Sequence, residues 1–501
     1  MIPHTLTQVA GWTGARLVAP PTTAEELVIG PDVVIDSRLA TPGSLFIALP
    51  GEHVDGHDFA AKAVELGAVA VLGSRPTEAP VPHLLVDDPI AGLSSLARAL
   101  VDEARANGLV TIAVTGSSGK TSTKDLLAQV LEQAAPTVAP VGSFNNEIGV
   151  PLTATRVDAS TKYLISEMGA RGEGHIRWLC SMTPPVIALV LNVGSAHLGE
   201  FGSVEGIARA KGELVEGLPA DGWAVLNADD PRVAAMASRT QAPAAWFSVA
   251  ENRPDLGAPL VWAGEVSLDD LQRPTFTLEF TGSQFSGSQS SGSQSSGSQS
   301  SGDEASQSHR VSLPLIGRHQ VANAAAAAAA AWRAGLDPAD IAASLGRVEH
   351  RSKWRMELTV AANGSAVIND AYNANPDSMR AALLSLGAIG ASRRQTHPDA
   401  RVIAMLGDML ELGDDSDDLH RQVGRWAAEV GVDEVLAVGE QAGLLAAAAT
   451  EAGSHGRVVS VEEAGSLDLG PHDVVLVKAS RGLALERVAA AVLAHVVEEK
   501  S

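Results

Sequence analysis

A single cysteine, Cys180, stands among 501 residues. No intramolecular disulfide is possible, so the fold must rest on packing, and the chain suits a reducing cytoplasm. Aromatic residues are scarce at 4%. Positive charge is scarce too: 36 Lys and Arg against 59 Asp and Glu leave a net charge of −23. Nucleic acid and anionic membrane both require a basic face, so neither is expected as a partner. A small anionic ligand needs only a local cradle and is not excluded. Long apolar runs are missing: the longest bland stretch, Ala324–Ala331, falls far short of the ~20 residues that span a bilayer. The opening MIPHTLTQVAGW has no cationic flank before an apolar core and does not read as a secretory signal. Apolar material is plentiful, with 45% hydrophobic against 19% charged residues. At roughly 150 residues per domain the length suggests about three domains. The expectation is a cytoplasmic, multidomain protein without membrane insertion.

Short apolar runs and turns fill the first stretch, with LFIAL at 45–49, AVAVL at 68–72 and HLLVDD at 83–88. A strand–helix alternation follows. VTIAVTG (110–116) reads as a buried strand and GKTSTKDLLAQVLEQ (119–133) as a helix with Leu127, Val130 and Leu131 on one face. YLISEMG (163–169), VIALVLNVG (186–194) and WAVLNADD (223–230) read as further buried strands. This alternation predicts a parallel, doubly wound α/β sheet. At 282–302 the pentad SGSQS repeats three times between strand-like TFTLEF and HRVSLPL. It predicts a disordered tether in a hairpin loop, not a domain boundary, because the helix ANAAAAAAAAWRAG (322–335) continues the same domain. A third set of strands, AVIND, RVIAMLGD, EVLAVGE and VVLVKAS, closes the chain. The predicted domains are 1–108, 109–346 and 347–501.

Ligands of open α/β sheets bind beyond the carboxyl ends of the strands. Those ends carry Thr115-Gly116, Glu167, Asn192 with His197 just after, Asp370, Gly407-Asp408 and Lys478. Any one could be a helix cap; as a set they point to a site. The sharpest element is Thr115-Gly116-Ser117-Ser118-Gly119-Lys120-Thr121, continued by Ser122. Glycines let the backbone approach phosphate, and the loop's N–H groups and the next helix N-terminus bind anions. Lys120 can reach terminal phosphates and the Thr121 hydroxyl can ligate Mg²⁺. The spacing is G-x-x-G-K-T, two residues shorter than the usual phosphate loop. Glu167 and His197 are candidate metal ligands beside it. Cys180, among apolar neighbours in IRWLCSM, reads as a buried inert thiol.

With these residues in view, T-G-S-S-G-K-T-S-T-K (115–124) resembles the phosphate loop of the Mur ligases, the ATP-dependent amide ligases of peptidoglycan synthesis. The family's other motifs follow in order: S-F-N-N-E-I-G-V-P (143–151), E-M-G-A (167–170), H-L-G-E-F-G-S (197–203), A-K-G-E-L (210–214), D-A-Y-N-A-N-P-D-S-M (370–379), L-G-D-M-L-E-L-G (406–413) and V-K-A-S-R-G (477–482). Within the family the match is to members that add D-alanyl-D-alanine. D-S-R (36–38) and G-E-H-V-D-G-H-D-F (51–59) are similar to a uridine-nucleotide-binding domain. The resemblance implies a UDP-substrate-binding α/β domain, a central doubly wound ATPase domain and a C-terminal Rossmann-like domain for the incoming dipeptide. The implied reaction joins D-alanyl-D-alanine to UDP-N-acetylmuramoyl-tripeptide through an acyl phosphate, with release of ADP and phosphate.

Carried over by position, the resemblance implies that Thr115 to Ser122, Asn323, Arg355 and Asp370 bind ATP. Thr121, Glu167, His197 and Lys211, the last as a carbamate, would hold two Mg²⁺ ions. Lys120, Glu167, His197 and Lys211 would be catalytic. Ser37, Arg38, Asp55, His57, Asn145 and Asn146 would bind the UDP-substrate. Tyr372, Asn373, Asn375, Ser378, Lys478, Ser480 and Arg481 would bind the dipeptide. The chain departs from the pattern at Gln320 (commonly Asn), Lys353-Trp354 (commonly Pro-Gly), Ala479 (usually Gly) and Leu39 (commonly Lys). A monomer is expected. Competing readings are the sister ligase that adds the third, diamino acid residue, a folate-type or polyamide ligase, and a non-ligase phosphate-loop nucleotide-binding protein. The tripeptide's third residue, lysine or diaminopimelate, is not fixed by the sequence.

Overall fold

A computed structural model describes residues 1–18, 27–51, 53–194, 201–256, 259–283 and 306–498. Three large sheets carry the chain, beside a two-stranded antiparallel pair of His4–Thr5 with Val28–Ile29. The first has five strands in the order Arg16–Val18, His83–Leu85, Ala70–Gly73, Leu45–Ile47, Val33–Val34; only the Arg16–Val18 edge pairs antiparallel. Helix Pro89–Ala106, capped by Asp88 with proline at its first position, lays Leu93, Leu96 and Leu100 onto this sheet's core.

The central sheet has nine strands: Ser306–Ser312, Pro274–Thr281, Leu260–Leu268, Ala244–Ser248, Trp223–Asn227, Ile187–Val190, Val110–Thr115, Tyr163–Glu167, Thr137–Val138. All neighbours are parallel except those of Pro274–Thr281. Its inner parallel strands, such as Val110–Thr115 and Ile187–Val190, are buried on both faces, which is why they read as nearly continuous apolar runs. The two antiparallel strands flank the Ser-Gly-Gln repeat, whose pentads lie outside the described residues. Helix His319–Arg333 begins three residues before the stretch expected from sequence. Its eight consecutive alanines are buried, and it packs between helix Lys120–Glu132 and the sheet. Small side chains permit that close layering.

The last sheet has six strands: Glu357–Val360, Ala366–Asn369, Val474–Lys478, Val402–Gly407, Glu434–Val438, His455–Val458, parallel apart from the Glu357–Val360 edge. In the central sheet Val110–Thr115 lies between Ile187–Val190 and Tyr163–Glu167, so the winding reverses at its carboxyl end. Val474–Lys478 occupies the matching place in the last sheet. Both ends open on one cleft. No helix among the described residues is long and apolar enough to cross a membrane.

Candidate active site

The cleft has a volume of about 650 Å³ and is walled on one side by the ends of the central strands and on the other by those of the last sheet. The phosphate loop turns from strand Val110–Thr115 into helix Lys120–Glu132. Gly119 sits at φ 78°, and a Cβ there would lie 2.5 Å from Asn323 Oδ1. Only glycine satisfies both the left-handed backbone and that approach. Asn192 pins the loop from the next strand: its Oδ1 accepts from Ser118 N (2.9 Å), its backbone O from Ser117 N (3.1 Å), and its Nδ2 donates to Ser118 O (3.2 Å). Ser117 Oγ accepts from Gly194 N at 2.9 Å. Lys120 folds back to donate to Gly116 O at 2.7 Å. Its burial in the cleft pulls the ammonium below lysine's usual pKa, with the Glu167 carboxylate opposing.

Glu167 is wholly buried. Three donors converge on its Oε1: Ser143 Oγ at 2.8 Å, Asn145 Nδ2 at 2.9 Å and Thr121 Oγ1 at 3.1 Å. Its Oε2 is equally buried and has no hydrogen-bond partner among the described residues. An orphaned carboxylate oxygen at this depth costs free energy unless something outside the chain meets it. Lys211, on helix Val204–Glu216, is 4% exposed and lines the same cleft. Burial first, and the Lys120 charge second, hold its amine well below lysine's usual pKa. His197 lies outside the described residues. Hard oxygen donors around an unpartnered carboxylate oxygen suit a divalent cation such as Mg²⁺.

Asn323 and Gln320 are bound to each other, Nδ2 to Oε1 at 2.9 Å, and Thr123 Oγ1 donates to Asn323 Oδ1 at 3.3 Å. The amide of Gln320 thus fixes Asn323 at the cleft. Across the cleft, Asp370 accepts from Lys478 Nζ at 2.6 Å and from Met356 N at 3.0 Å. Lys478, 1% exposed, also donates to Asn373 O at 2.8 Å. The Arg355 guanidinium lies 4.1 Å over the Tyr372 ring, with its Nε buried and without a hydrogen-bond partner among the described residues. Arg481 stacks 4.3 Å over Trp354 and pairs with Glu486 at 2.9 Å. Ser480 Oγ accepts from Leu410 N at 3.0 Å. Asn375 and Ser378 line the cleft, yet their side chains form a reciprocal cap on helix Pro376–Thr396. The carboxylate of Asp377 fills the space that a Cβ on Gly194 would take, bringing the two walls into contact.

The first-sheet residues stand apart. Ser37, Arg38, Asp55 and His57 are not among those lining the cleft. His57 is buried, with Nε2 accepting from Ser74 N (3.0 Å), so its proton sits on Nδ1, 2.6 Å from Asp55 Oδ1. Both ring nitrogens are engaged, which makes His57 a brace for Asp55. Arg75 adds a second grip on Asp55 at 2.9 Å, and together they hold that carboxyl well below the usual range. Arg38 is exposed and forks onto Asp36, holding that carboxyl at about 2. Asn145 and Asn146 line the cleft; the Asn146 side chain accepts from Gly149 N at 2.9 Å. Asp408, another polar strand end, caps Glu440 N and Gln441 N and is structural.

Sequence reasoning missed Ser143, Arg171, His175 and His319, which line the cleft, and gave no role to Asn192. Ser143 and Asn145 were legible only as part of a motif; their convergence on Glu167 is a tertiary fact.

Comparison with known proteins gives three family matches in chain order. Residues 32–101 match the Mur ligase family catalytic domain, 114–331 the Mur ligase middle domain, and 354–481 the Mur ligase glutamate ligase domain. The UDP-N-acetylmuramoyl-tripeptide--D-alanyl-D-alanine ligase of Mycobacterium bovis is 41% identical, over 99% of this chain and 98% of its own. The Escherichia coli protein of the same name is 35% identical, over 97% and 98%. Among solved structures, MurF from Acinetobacter baumannii superposes with a TM-score of 0.78 at 30% identity, covering 98% of this chain and 99% of that one. The chain belongs to the Mur ligase family.

Proposed function

We propose that this protein is an ATP-dependent amide ligase that joins D-alanyl-D-alanine to UDP-N-acetylmuramoyl-tripeptide, giving the UDP-linked pentapeptide of peptidoglycan synthesis. The name its relatives share over nearly their whole length supports the substrates. The observation that carries the reaction class is the single cleft in which a phosphate loop, a buried acid with one unmet oxygen and a depressed-pKa lysine face a second wall of charged residues.

A carboxylate is a poor acyl donor. Attack by its oxygen on the γ-phosphorus of ATP expels ADP and leaves an acyl phosphate. The dipeptide amine then adds to the acyl carbon, and the tetrahedral intermediate collapses with loss of phosphate. Little covalent chemistry falls to the protein, so catalysis is positioning and charge neutralisation. On this reading Thr115 to Ser122 cradle the phosphates, Lys120 leaves Gly116 O for the γ-phosphate, and Asn323 meets the base. Arg355 and Asp370 approach the nucleotide from the C-terminal side, while Lys478, Ser480, Arg481, Tyr372 and Asn373 receive the dipeptide. Asn375 and Ser378 contribute by fixing that loop. Ser37, Arg38, Asp55, His57, Asn145 and Asn146 serve the UDP-substrate, with His57 acting through Asp55.

Thr121, Glu167 and Lys211 as a carbamate would hold Mg²⁺, with His197 completing the set for two ions. When bound, the metal neutralises charge building on the phosphoryl and acyl oxygens. Burial favours the neutral amine of Lys211, the form that adds CO₂ and releases a proton to become an oxygen donor. On this reading the enzyme acts as a monomer in the cytoplasm.

The test is product formation. ATP hydrolysis should require both UDP-muramoyl-tripeptide and D-alanyl-D-alanine, and the product mass should equal their sum less water. Hydrolysis independent of either acceptor would overturn the reading.

A further inference from the structure

Five cations of the cleft have assigned work or partners. Lys120 rests on a loop carbonyl, Lys478 on Asp370, Arg481 on Glu486 and Trp354, Arg355 on Tyr372, and Lys211 belongs to the metal set. A sixth, Arg171, is unclaimed by the reaction. It stands four residues beyond Glu167, in the turn that leads into helix His175–Met182, and lines the cleft with His175, Ala170 and Lys211.

This turn is built, not loose. Glu213, 4% exposed and two residues from Lys211 on the same helix, accepts from Gly174 N and from Arg177 N (3.0 Å), fixing the start of helix His175–Met182. His175 Nδ1 accepts from Arg171 N at 3.2 Å, so its proton sits on Nε2, 3.4 Å from Glu147 Oε2. Glu147 Oε1 in turn takes one bond from Arg171 Nη1, at 3.3 Å. That is the one side-chain hydrogen bond of Arg171 among the described residues. A guanidinium carries five N–H donors in a planar fork, so its bidentate edge is open to a carboxylate.

In the proposed reaction the acyl carboxylate is that of the tripeptide's third residue. It must reach the Glu167 and Lys211 corner of the cleft, and Arg171 and His175 line that same cleft, where the side chain of that residue can meet them. We propose that Arg171, oriented by Glu147, selects a third residue whose side chain ends in a carboxylate as well as an amine, a diamino diacid, over one ending in an ammonium alone. A carboxylate there forms a charge-assisted fork with the open edge of Arg171, whereas a lone ammonium has no acceptor to offer that edge. The inference rests on the proposed ligase reading.

The experiment measures kcat/KM with two UDP-tripeptides, one ending in diaminopimelate and one in lysine, for the wild-type enzyme, Arg171→Met and Arg171→Glu. A charge-assisted pair predicts a wild-type preference for the diacid of about 10- to 100-fold. Arg171→Met should remove that preference by lowering the diacid value alone, and Arg171→Glu should favour lysine. Arg171 is exposed, so the fold is not at risk, and the KM for ATP should not move. Calorimetric binding of each tripeptide without ATP should show the same split. Equal losses on both tripeptides would mean that Arg171 holds a part common to them, such as the pyrophosphate, and would overturn the proposal, as would a wild-type preference for lysine. Turnover of neither tripeptide by the wild type would instead overturn the ligase reading, and this inference with it.

Discussion

The two walls of the cleft are finished to different degrees. On the central wall, three donors from two segments converge on one oxygen of Glu167 and leave the other oxygen unmet among the described residues, beside a lysine whose burial disfavours its charge. That wall is arranged around something the chain does not supply. On the C-terminal wall two of the cations are paired within the wall, Lys478 with Asp370 and Arg481 with Glu486, while Arg355 lies against the Tyr372 ring. A ligand meets the first wall once Lys120 releases Gly116 O. To use Asp370 or Lys478 it must draw them apart, or accept the pair as a unit. The linker between the walls fits this difference. Gln129, on the helix that begins at Lys120, bonds both the N–H and the C=O of Glu349, at 2.8 and 3.0 Å, and Arg351 forks onto Glu132. Just beyond, Trp354 and Met356 hold left-handed backbone, φ 60° and 52°, which non-glycine residues adopt at a cost of ~1 kcal/mol each. The linker is anchored to the central wall and strained where it leaves it.

The sharpest break between the walls should come from Lys211→Ala. If the central wall exists to hold cations, loss of the carbamate donor should lower turnover on the order of a thousandfold, the scale of losing a main charge-stabilising group. Binding of the UDP-substrate should stay largely intact in calorimetry. Added short-chain carboxylic acids should restore part of the activity by supplying oxygen donors; rescue by alkylamines instead would assign the residue a cationic role.

On the opposite wall the largest effect should be on stability. Lys478→Met leaves Asp370 buried without its cation, and unpaired buried charges cost about 3 kcal/mol or more. Lys478→Met with Asp370→Asn should recover much of that loss in denaturant titrations. A single variant as stable as the wild type would mean that the pair does not hold this wall together.

Gln129→Ala tests the anchor. Removing the amide strands the two backbone groups of Glu349, at about 1–3 kcal/mol. Unfolding should become easier by roughly 2 kcal/mol, with little change in the KM for ATP, because Gln129 is remote from the phosphate loop. A large rise in that KM would place the anchor inside the nucleotide site.

The central wall was also the more legible in sequence. Its strands are buried on both faces and read as continuous apolar runs, and the glycines, lysine and threonine of its loop are contiguous. Glu167 was visible because it ends such a run. What could not be read were pairings across distance: Gln129 with Glu349 spans 220 positions and Lys478 with Asp370 spans 108. No local pattern encodes them. Asn375 and Ser378 teach a different lesson. Asn-Pro-Asp-Ser is a helix-start signature, with a capping side chain, proline first and a partner three residues on. Their motif suggested ligand contacts, while the local chemistry had already engaged both side chains. His57 likewise looked like a ligand until its two nitrogens proved engaged. His175 carried no signal, and Glu213 was visible only as part of A-K-G-E-L, since its contacts with Gly174 and Arg177 are made by the fold.

The smallest expected effect reports on rigidity. Cys180 lies on helix His175–Met182, behind the strand end that bears Glu167, with Sγ 3.7 Å from Met168 Sδ. Burial pushes its thiol up to about 12. At pH 8 the reactive thiolate is then on the order of 10⁻⁴ of the total, so labelling must await local opening of the wall. If the central wall is the fixed one, Ellman's reagent should modify the native protein very slowly and the denatured protein at once. The native rate should not change when an ATP analogue and UDP-substrate are added. A labelling rate that rises or falls several-fold with ligands would show that the central wall also rearranges, and the contrast between a prepared wall and a self-paired one would have to be replaced by two walls that move together.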